Sequence, residues 1–232
     1  MTHPVMSDRI ASMESGLGMS PGKVYDPDPD PAWDRLRAVL LAITERPEVA
    51  RRMVGARPSV GEGESESLAG LVLARQERYH EAKEKFLMAV VAEPENPRYL
   101  ADLGASLFLL GEFGEARESL QRSLVLDREG GSSYTHYYLG KIYQLEKDDA
   151  AADGSFRRAV HSWPPLPVAH YQFALLLSGE GKLGEADYHF GKAARLRGDY
   201  AAALRSFSRA RSRLGSDPLW GIRIAEELQS MQ

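Results

Sequence analysis

The sequence predicts an all-α solenoid of stacked antiparallel helix pairs, closed by a C-terminal capping helix. Three observations point there. Apolar and small residues recur with a period near 34 residues between Leu68 and Pro164. Within each period the apolar positions fall at helical spacing. Pro94 and Pro164 then stop the first and third periods, because proline cannot continue a helix. One helical hairpin cannot bury its apolar face, whereas three or more stacked hairpins can.

Bulk composition narrows the function. The 232 residues are 43% hydrophobic and 27% charged, enough apolar material for a continuous core. A formal net charge of −4 gives no excess of Lys and Arg for nucleic acid or an anionic membrane surface. The longest apolar run, Phe86–Ala92, is far too short to span a bilayer, and no apolar signal-peptide core follows Met1. Cysteine is absent, which excludes disulfides, thiolate nucleophiles and cysteine metal sites without fixing a compartment.

Before residue 60 the organisation differs from the repeats. Ser15–Pro31 is rich in Gly, Pro and Asp, and Asp26–Pro31 alternates the last two, which favours extended backbone and excludes helix. Residues 1–30 therefore read as a linker segment. Residues 31–60 read as N-terminal helices: one over about 31–44, with Leu36, Val39, Leu40 and Ile43 on one face, and a shorter one over about 47–54. They either pad the end of the solenoid or pack on a preceding domain. Arg57–Ser65 reads as a loop, and the solenoid proper takes 61–232.

Three segments superpose: Leu68–Pro94, Leu100–Arg128 and His136–Pro164. Gly70, Ala82, Phe86 and Ala89 correspond to Gly104, Ala116, Leu120 and Ser123, and then to Gly140, Ala152, Phe156 and Ala159. The step from Gly70 to Gly104 is 34 residues and from Gly104 to Gly140 is 36, with the two extra residues assigned to the Gly130–Gly131 turn. Gly104 and Ala116 remove bulk where the two backbones approach, and larger apolar residues fill the surrounding space. A fourth repeat follows with Ala174, Ala186, Phe190 and Ala193. An overlapping register with Gly191, Ala203, Phe207 and Ala210 makes helix 184–197 serve twice. Both registers imply helices at about 167–180, 184–197, 200–213 and 217–231. Asp217–Pro218 is a helix-start signal. Trp220, Ile224 and Leu228 form the stripe of a capping helix, with Arg223, Glu226 and Glu227 toward solvent.

This pattern of small, aromatic and proline positions resembles the tetratricopeptide repeat. The resemblance implies a right-handed solenoid of four to five repeats that binds protein or peptide segments on its concave face. Its first helices line that face through their second, fifth, sixth, ninth and twelfth places. Here those places bring together Arg98, Asp102, Phe108, Tyr134, Tyr137, Tyr138, Lys141, Gln144 and Tyr171. Tyrosine offers large contact area with a hydrogen-bonding tip, and such residues dominate interface energies. Tyr143 instead holds a core place. The lysine–asparagine clamp of chaperone-tail binders is missing: Ser67, Leu71, Ala101 and Ala105 stand where it would begin.

Nothing in the sequence supports catalysis or a cofactor. His3, His80, His136, His161, His170 and His189 contain no HExxH and no i, i+4 pair for a metal. His136 and His170 recur at equivalent places, so they follow the repeat as structural residues. No Walker loop or dinucleotide fingerprint occurs.

Two stretches resemble a narrower family. Thr2-His3-Pro4, followed by Arg9-Ile10, is similar to an element closing the protease domain of HtpX-like and BepA-like zinc metallopeptidases. Tyr188–Ala210, followed by Asp217-Pro218-Leu219-Trp220-Gly221-Ile222-Arg223-Ile224, is similar to the repeat tail of that family's envelope members. The departure is complete at the active site, since the HExxH helix and glutamate ligand are not in this sequence. The resemblance implies a non-catalytic C-terminal repeat domain in the periplasm or cell envelope, with residues 1–30 including a remnant of the protease domain. Its partners would be outer-membrane assembly machinery or protease substrates. Without that resemblance the expectation is a free-standing cytoplasmic scaffold. Oligomeric state is not readable from the sequence.

Overall fold

In a computed structural model, residues 61–128, 131–162 and 164–231 are described. The expected linker and helices before residue 60 lie outside these residues, as does Gly130. The described residues form ten helices and no strand: α1 (Glu62–Arg75), α2 (Tyr79–Ala92), α3 (Pro97–Leu109), α4 (Phe113–Leu126), α5 (Ser133–Leu145), α6 (Asp149–His161), α7 (Pro167–Gly179), α8 (Leu183–Leu196), α9 (Tyr200–Leu214) and α10 (Pro218–Gln229). No described helix is long and apolar enough to cross a membrane.

Local chemistry explains where these helices start. Asn96, Ser132 and Asp217 accept hydrogen bonds from first-turn amides of α3, α5 and α10, and Pro follows the cap in α3 and α10. The expected loop Arg57–Ser65 is corrected at its C-terminal end, where α1 already begins at Glu62. Glu62 and Glu64 suit the amide-rich first turn, and Gly63 serves close packing. A Cβ there would lie 3.0 Å from the Tyr99 ring and 3.4 Å from the Ala89 carbonyl.

Each helix pair is closed in the same way. Arg78 N donates to Leu73 O, Glu112 N to Leu107 O, Asp148 N to Tyr143 O and Lys182 N to Leu177 O, at 2.9–3.0 Å. The turn residues Glu77, Gly111, Lys147 and Gly181 all have positive φ. The paired helices then approach through a small residue against a large one. A Cβ on Gly70 would meet the Phe86 ring at 2.6 Å, one on Gly104 would meet Leu120 Cγ at 2.6 Å, and one on Gly140 would meet the Phe156 ring at 2.8 Å. Paired helices pack along their length, and successive pairs touch through α2–α3, α4–α5 and α6–α7.

At α8 the stack departs from this alternation. Helix α8 packs at length on both α7 and α9. Phe190 faces Phe173, Leu177 and Ala186 in the α7–α8 contact. On the adjoining side a Cβ on Gly191 would meet the Phe207 ring of α9 at 2.6 Å. The α8–α9 turn repeats the within-pair closure, with Asp199 N donating to Ala194 O at 3.0 Å and Gly198 at φ 79°. Gly191 follows Ala174 by 17 residues, half of a 34-residue repeat. Helix α8 is thus the second helix of one pair and the first of the next, as the overlapping register predicts.

Helix α10 caps this second pair. Ile224 is fully buried among Ala194, Ala203, Phe207 and Ala210, with Trp220 and Leu228 packed alongside. The expected solvent role of Glu227 is corrected. Its carboxylate pairs with Lys192 Nζ at 2.8 Å and Arg195 Nε at 3.1 Å, so it fastens α10 to α8. Leu219 and Ile222, by contrast, are exposed.

Candidate protein-binding face

The first helices α1, α3, α5 and α7 lie side by side, and each successive pair is in contact. Three of them, α3, α5 and α7, carry the residues that the sequence nominates. On α3, Arg98 is exposed and Asp102 half-buried. Ser67 Oγ on α1 donates to Asp102 Oδ2 at 3.3 Å, a link between adjacent first helices. On α5, Tyr134 is exposed, whereas Tyr137, Lys141 and Gln144 are half-buried. Lys141 Nζ donates to Gln144 Oε1 at 3.3 Å. On α7, Tyr171 is exposed and packs edge-on against Phe190, with centroids 5.4 Å apart.

Tyr138 is the clear exception. It is 8% exposed and belongs to the core shared by α1–α5. Its ring meets Phe108 at 5.1 Å, Tyr134 at 4.7 Å and Tyr137 at 5.1 Å. A residue enclosed on three sides by aromatic rings seals the contact between repeats and has little surface left for a ligand. Phe108 continues the cluster to Phe113 at 5.4 Å, and Tyr137 reaches Phe156 at 6.4 Å. The aromatic content of this face is therefore divided. Tyr138, with parts of Phe108 and Tyr137, holds α3, α5 and α6 together, while Tyr134 and Tyr171 remain exposed. Tyr143 is half-buried and its hydroxyl accepts from Gln121 Nε2 at 3.1 Å.

The electrostatics of the face are mild. Tyr134 keeps 38% of its surface exposed, but its hydroxyl is desolvated by its surroundings, which together with the neighbouring Tyr138 push it far above its ordinary value. Burial raises Tyr137 and Tyr138 as well. These phenols stay neutral at physiological pH and act as hydrogen-bonding groups. Among the described residues no three His, Cys, Asp or Glu side chains gather where they could hold a metal.

Sequence reasoning missed one paired site. His136 and His170 are both buried, in keeping with structural residues. His170 also meets a second buried imidazole, His189, whose ring stacks at a centroid distance of 5.3 Å. The two residues are 19 positions apart, on opposite helices of a pair, so no local spacing rule joins them. The overlapping register carried the available signal, since it places both on facing sides of α7 and α8.

Comparison with known proteins agrees with this architecture. Residues 68–133 match the family model of the tetratricopeptide repeat. The chain superposes on TTC0263, a thermophilic tetratricopeptide-repeat protein of Thermus thermophilus, with a TM-score of 0.55 and 18% identity. That match covers 85% of this chain and 98% of the other. Against Pseudomonas aeruginosa PilF the TM-score is 0.52 at 19% identity, covering 87% of this chain and 97% of that one. Against the Cut9–Hcn1 hetero-tetramer of the APC/C it is 0.57 at 13% identity, covering 97% of this chain and 46% of that one. At these identities the likeness is one of fold. No curated protein sequence matches the chain. The fold is that of a tetratricopeptide-repeat solenoid, an architecture typical of protein–protein interaction modules.

Proposed function

We propose that this chain is a non-catalytic recognition module that binds protein or peptide segments on the inner face of α3, α5 and α7. The observation that carries this reading is the exposure of Tyr134 and Tyr171 on adjacent first helices, 38% and 39% exposed. Tyr134 packs against the buried Tyr138 ring and Tyr171 against the half-buried Phe190 ring, and these contacts hold them in place. Large rings fixed by packing contribute contact area without a large entropic cost on binding. Arg98, Asp102, Lys141 and Gln144 would supply the polar contacts around them.

We further propose that the module serves as the C-terminal receptor arm of an envelope zinc metallopeptidase of the HtpX-like and BepA-like kind. Support comes from the Thr2-His3-Pro4 and Arg9-Ile10 element, together with the Asp217-to-Ile224 stretch, occurring in that order in one chain. In this role it would hold outer-membrane assembly machinery or substrates near the protease. Reading the genomic sequence upstream of codon 1 tests the assignment. An in-frame HExxH helix followed by a glutamate ligand supports it; a native start at Met1 makes the protein a free-standing scaffold. The binding reading has its own test: Tyr134→Ala and Tyr171→Ala should weaken partner capture without loss of helicity by circular dichroism. Capture unchanged in both variants would end it.

A further inference from the structure

The half-repeat step at α8 alters the inner face. In the regular part of the stack, each first helix is flanked by the next: α3 by α5 and α5 by α7. Residues beside that contact are covered. Ala101 and Ala105 on α3 are 7% and 3% exposed, and the corresponding Tyr137 and Lys141 on α5 are half-buried. Their counterparts on α7 are Tyr171 and Leu175, and these are 39% and 42% exposed. The cause is architectural. Because α9 pairs with α8 in the within-repeat manner, α9 and α10 continue from α8, and neither packs along α7. Among the described residues, no fifth first helix stands beside α7.

The uncovered flank has a definite chemistry. Val168, Tyr171 and Leu175 fall at i, i+3 and i+7, one stripe of α7, and all three are exposed. Tyr171 and Leu175 are the uncovered pair, and Val168 extends the row of Arg98 and Tyr134, which are exposed in the regular stack too. Arg197, at the end of α8, holds its guanidinium 6.0 Å from the Tyr171 ring centroid. It pairs with no carboxylate among the described residues. An apolar stripe about 10 Å long beside a cation is what the apolar face of a helix with an acidic flank would cover. An extended strand has less to gain here, because a helix offers no open backbone edge for it to join.

We propose that this flank of α7 is a slot for an amphipathic α-helix from a partner protein, standing where the next first helix of the stack would be. Its apolar face lies on Val168, Tyr171 and Leu175, and a carboxylate on its flank meets Arg197. The inference rests on the reading of the inner face as the recognition surface and specifies one partner class and its location.

The test uses the full chain and a fluorescein-labelled model helix of roughly 16 residues, a length at which helices begin to hold in water. The peptide has leucines at i, i+3 and i+7 and glutamates on the flank. Fluorescence anisotropy should show saturable binding that weakens about tenfold or more in Leu175→Ala and Tyr171→Ala, the scale of a lost interface anchor. Arg197→Gln should flatten the salt dependence. A peptide carrying a central proline should not bind. Equal binding of the proline peptide, absence of saturable binding, or indifference to both α7 substitutions would each overturn the slot. Concentration-dependent dimers, seen by sedimentation and lost in Leu175→Ala, would assign the flank to a second copy and also overturn it. Capture of natural partners in Tyr134→Ala separates the two readings. If Tyr134 matters and the α7 residues do not, the inner face binds ligands but the slot is wrong; if neither matters, both fall.

Discussion

The Nδ1 atoms of His170 on α7 and His189 on α8 lie 3.0 Å apart. At that distance one imidazole donates Nδ1–H and the other accepts through an unprotonated Nδ1, and burial favours the neutral form of both rings. Phe173 packs on the His189 ring at 4.8 Å and Tyr188 at 5.3 Å. Burial pushes His170 down to about 4, with Lys192 and His161 adding to the effect. His189 is held well below 6.5 by burial first, and then by His170, His161, Lys192 and Arg157.

This pair makes stability depend on pH in a defined direction. The unfolded chain takes up protons on these imidazoles near pH 6.5, and the native pair resists them. The unfolded state therefore binds more protons as pH falls from 6.5 toward 4, and stability present above pH 6.5 is lost across that window. The slope approaches about 1.4 kcal/mol per pH unit for each imidazole. Urea midpoints measured between about pH 7.5 and 5 should fall steadily in the wild type. The double variant His170→Leu, His189→Leu keeps the other histidines and should show a much flatter profile. Equal slopes in the two proteins would show that the pair does not control the response.

The small-to-large contacts give a paired test of the register. Gly191 has the Phe207 ring against it, so Gly191→Leu forces the α8–α9 contact apart, at a cost of about 1–3 kcal/mol or more. Gly154 lies inside α6 and a Cβ there would meet nothing within 4 Å. Gly154→Ala should therefore stabilise the protein by up to about 1 kcal/mol through helix propensity alone. Thermal melts followed by far-ultraviolet circular dichroism should move in opposite directions. A neutral Gly191→Leu would mean that α8 does not act as the first helix of a second pair.

These contrasts show how much of the fold is legible in the sequence. Gly70, Gly104, Gly140 and Gly191 mark the helix contacts correctly, because a buried backbone approach tolerates almost nothing else. The four C-terminal helices are also legible, from Asp217–Pro218 and the apolar spacing. The Tyr137–Tyr138 dipeptide is harder to divide. Adjacent residues differ by about 100° around a helix, yet one sits half-open and the other in the core. Position within the repeat does not determine how far neighbouring rings close over each. Glu227 reads as solvated because its partners, Lys192 and Arg195, come from a helix two elements earlier. Gly63 reads as loop because its packing partner Tyr99 belongs to the next repeat.

Tyr138 and Tyr134 should accordingly respond in different assays. Tyr138→Ala removes a core ring that touches three others, and a loss of roughly 3 kcal/mol or more in unfolding free energy is expected. Tyr134→Ala removes a ring that is 38% exposed and should cost clearly less. Chemical denaturation of both variants at neutral pH checks the order. If Tyr134→Ala proves the more destabilising, the division of the aromatic face into floor and contact residues is wrong.

Glu227 fastens the C-terminal end of the stack. Its side chain is 12% exposed and sits between Lys192 and Arg195, while Arg195 Nη1 also donates to Ser230 Oγ at 3.0 Å. Tyr188 on α8 packs edge-on against Trp220 of α10 at 5.1 Å, so polar and aromatic contacts join the same two helices. Glu227→Ala leaves two cations facing each other with no carboxylate between them. Breaking a fully buried pair in this way costs about 3–5 kcal/mol, and partial exposure of the two basic side chains reduces this to about 1–2 kcal/mol. The loss should be local, since α10 packs on α9 and not on the repeats before α8. Hydrogen exchange should therefore quicken across residues 218–229 in Glu227→Ala, with α3 to α6 unchanged, and Glu227→Gln should retain part of the protection. Uniform loss of protection along the chain would show that α10 unfolds together with the whole solenoid, and that this network supports more than the end of the stack.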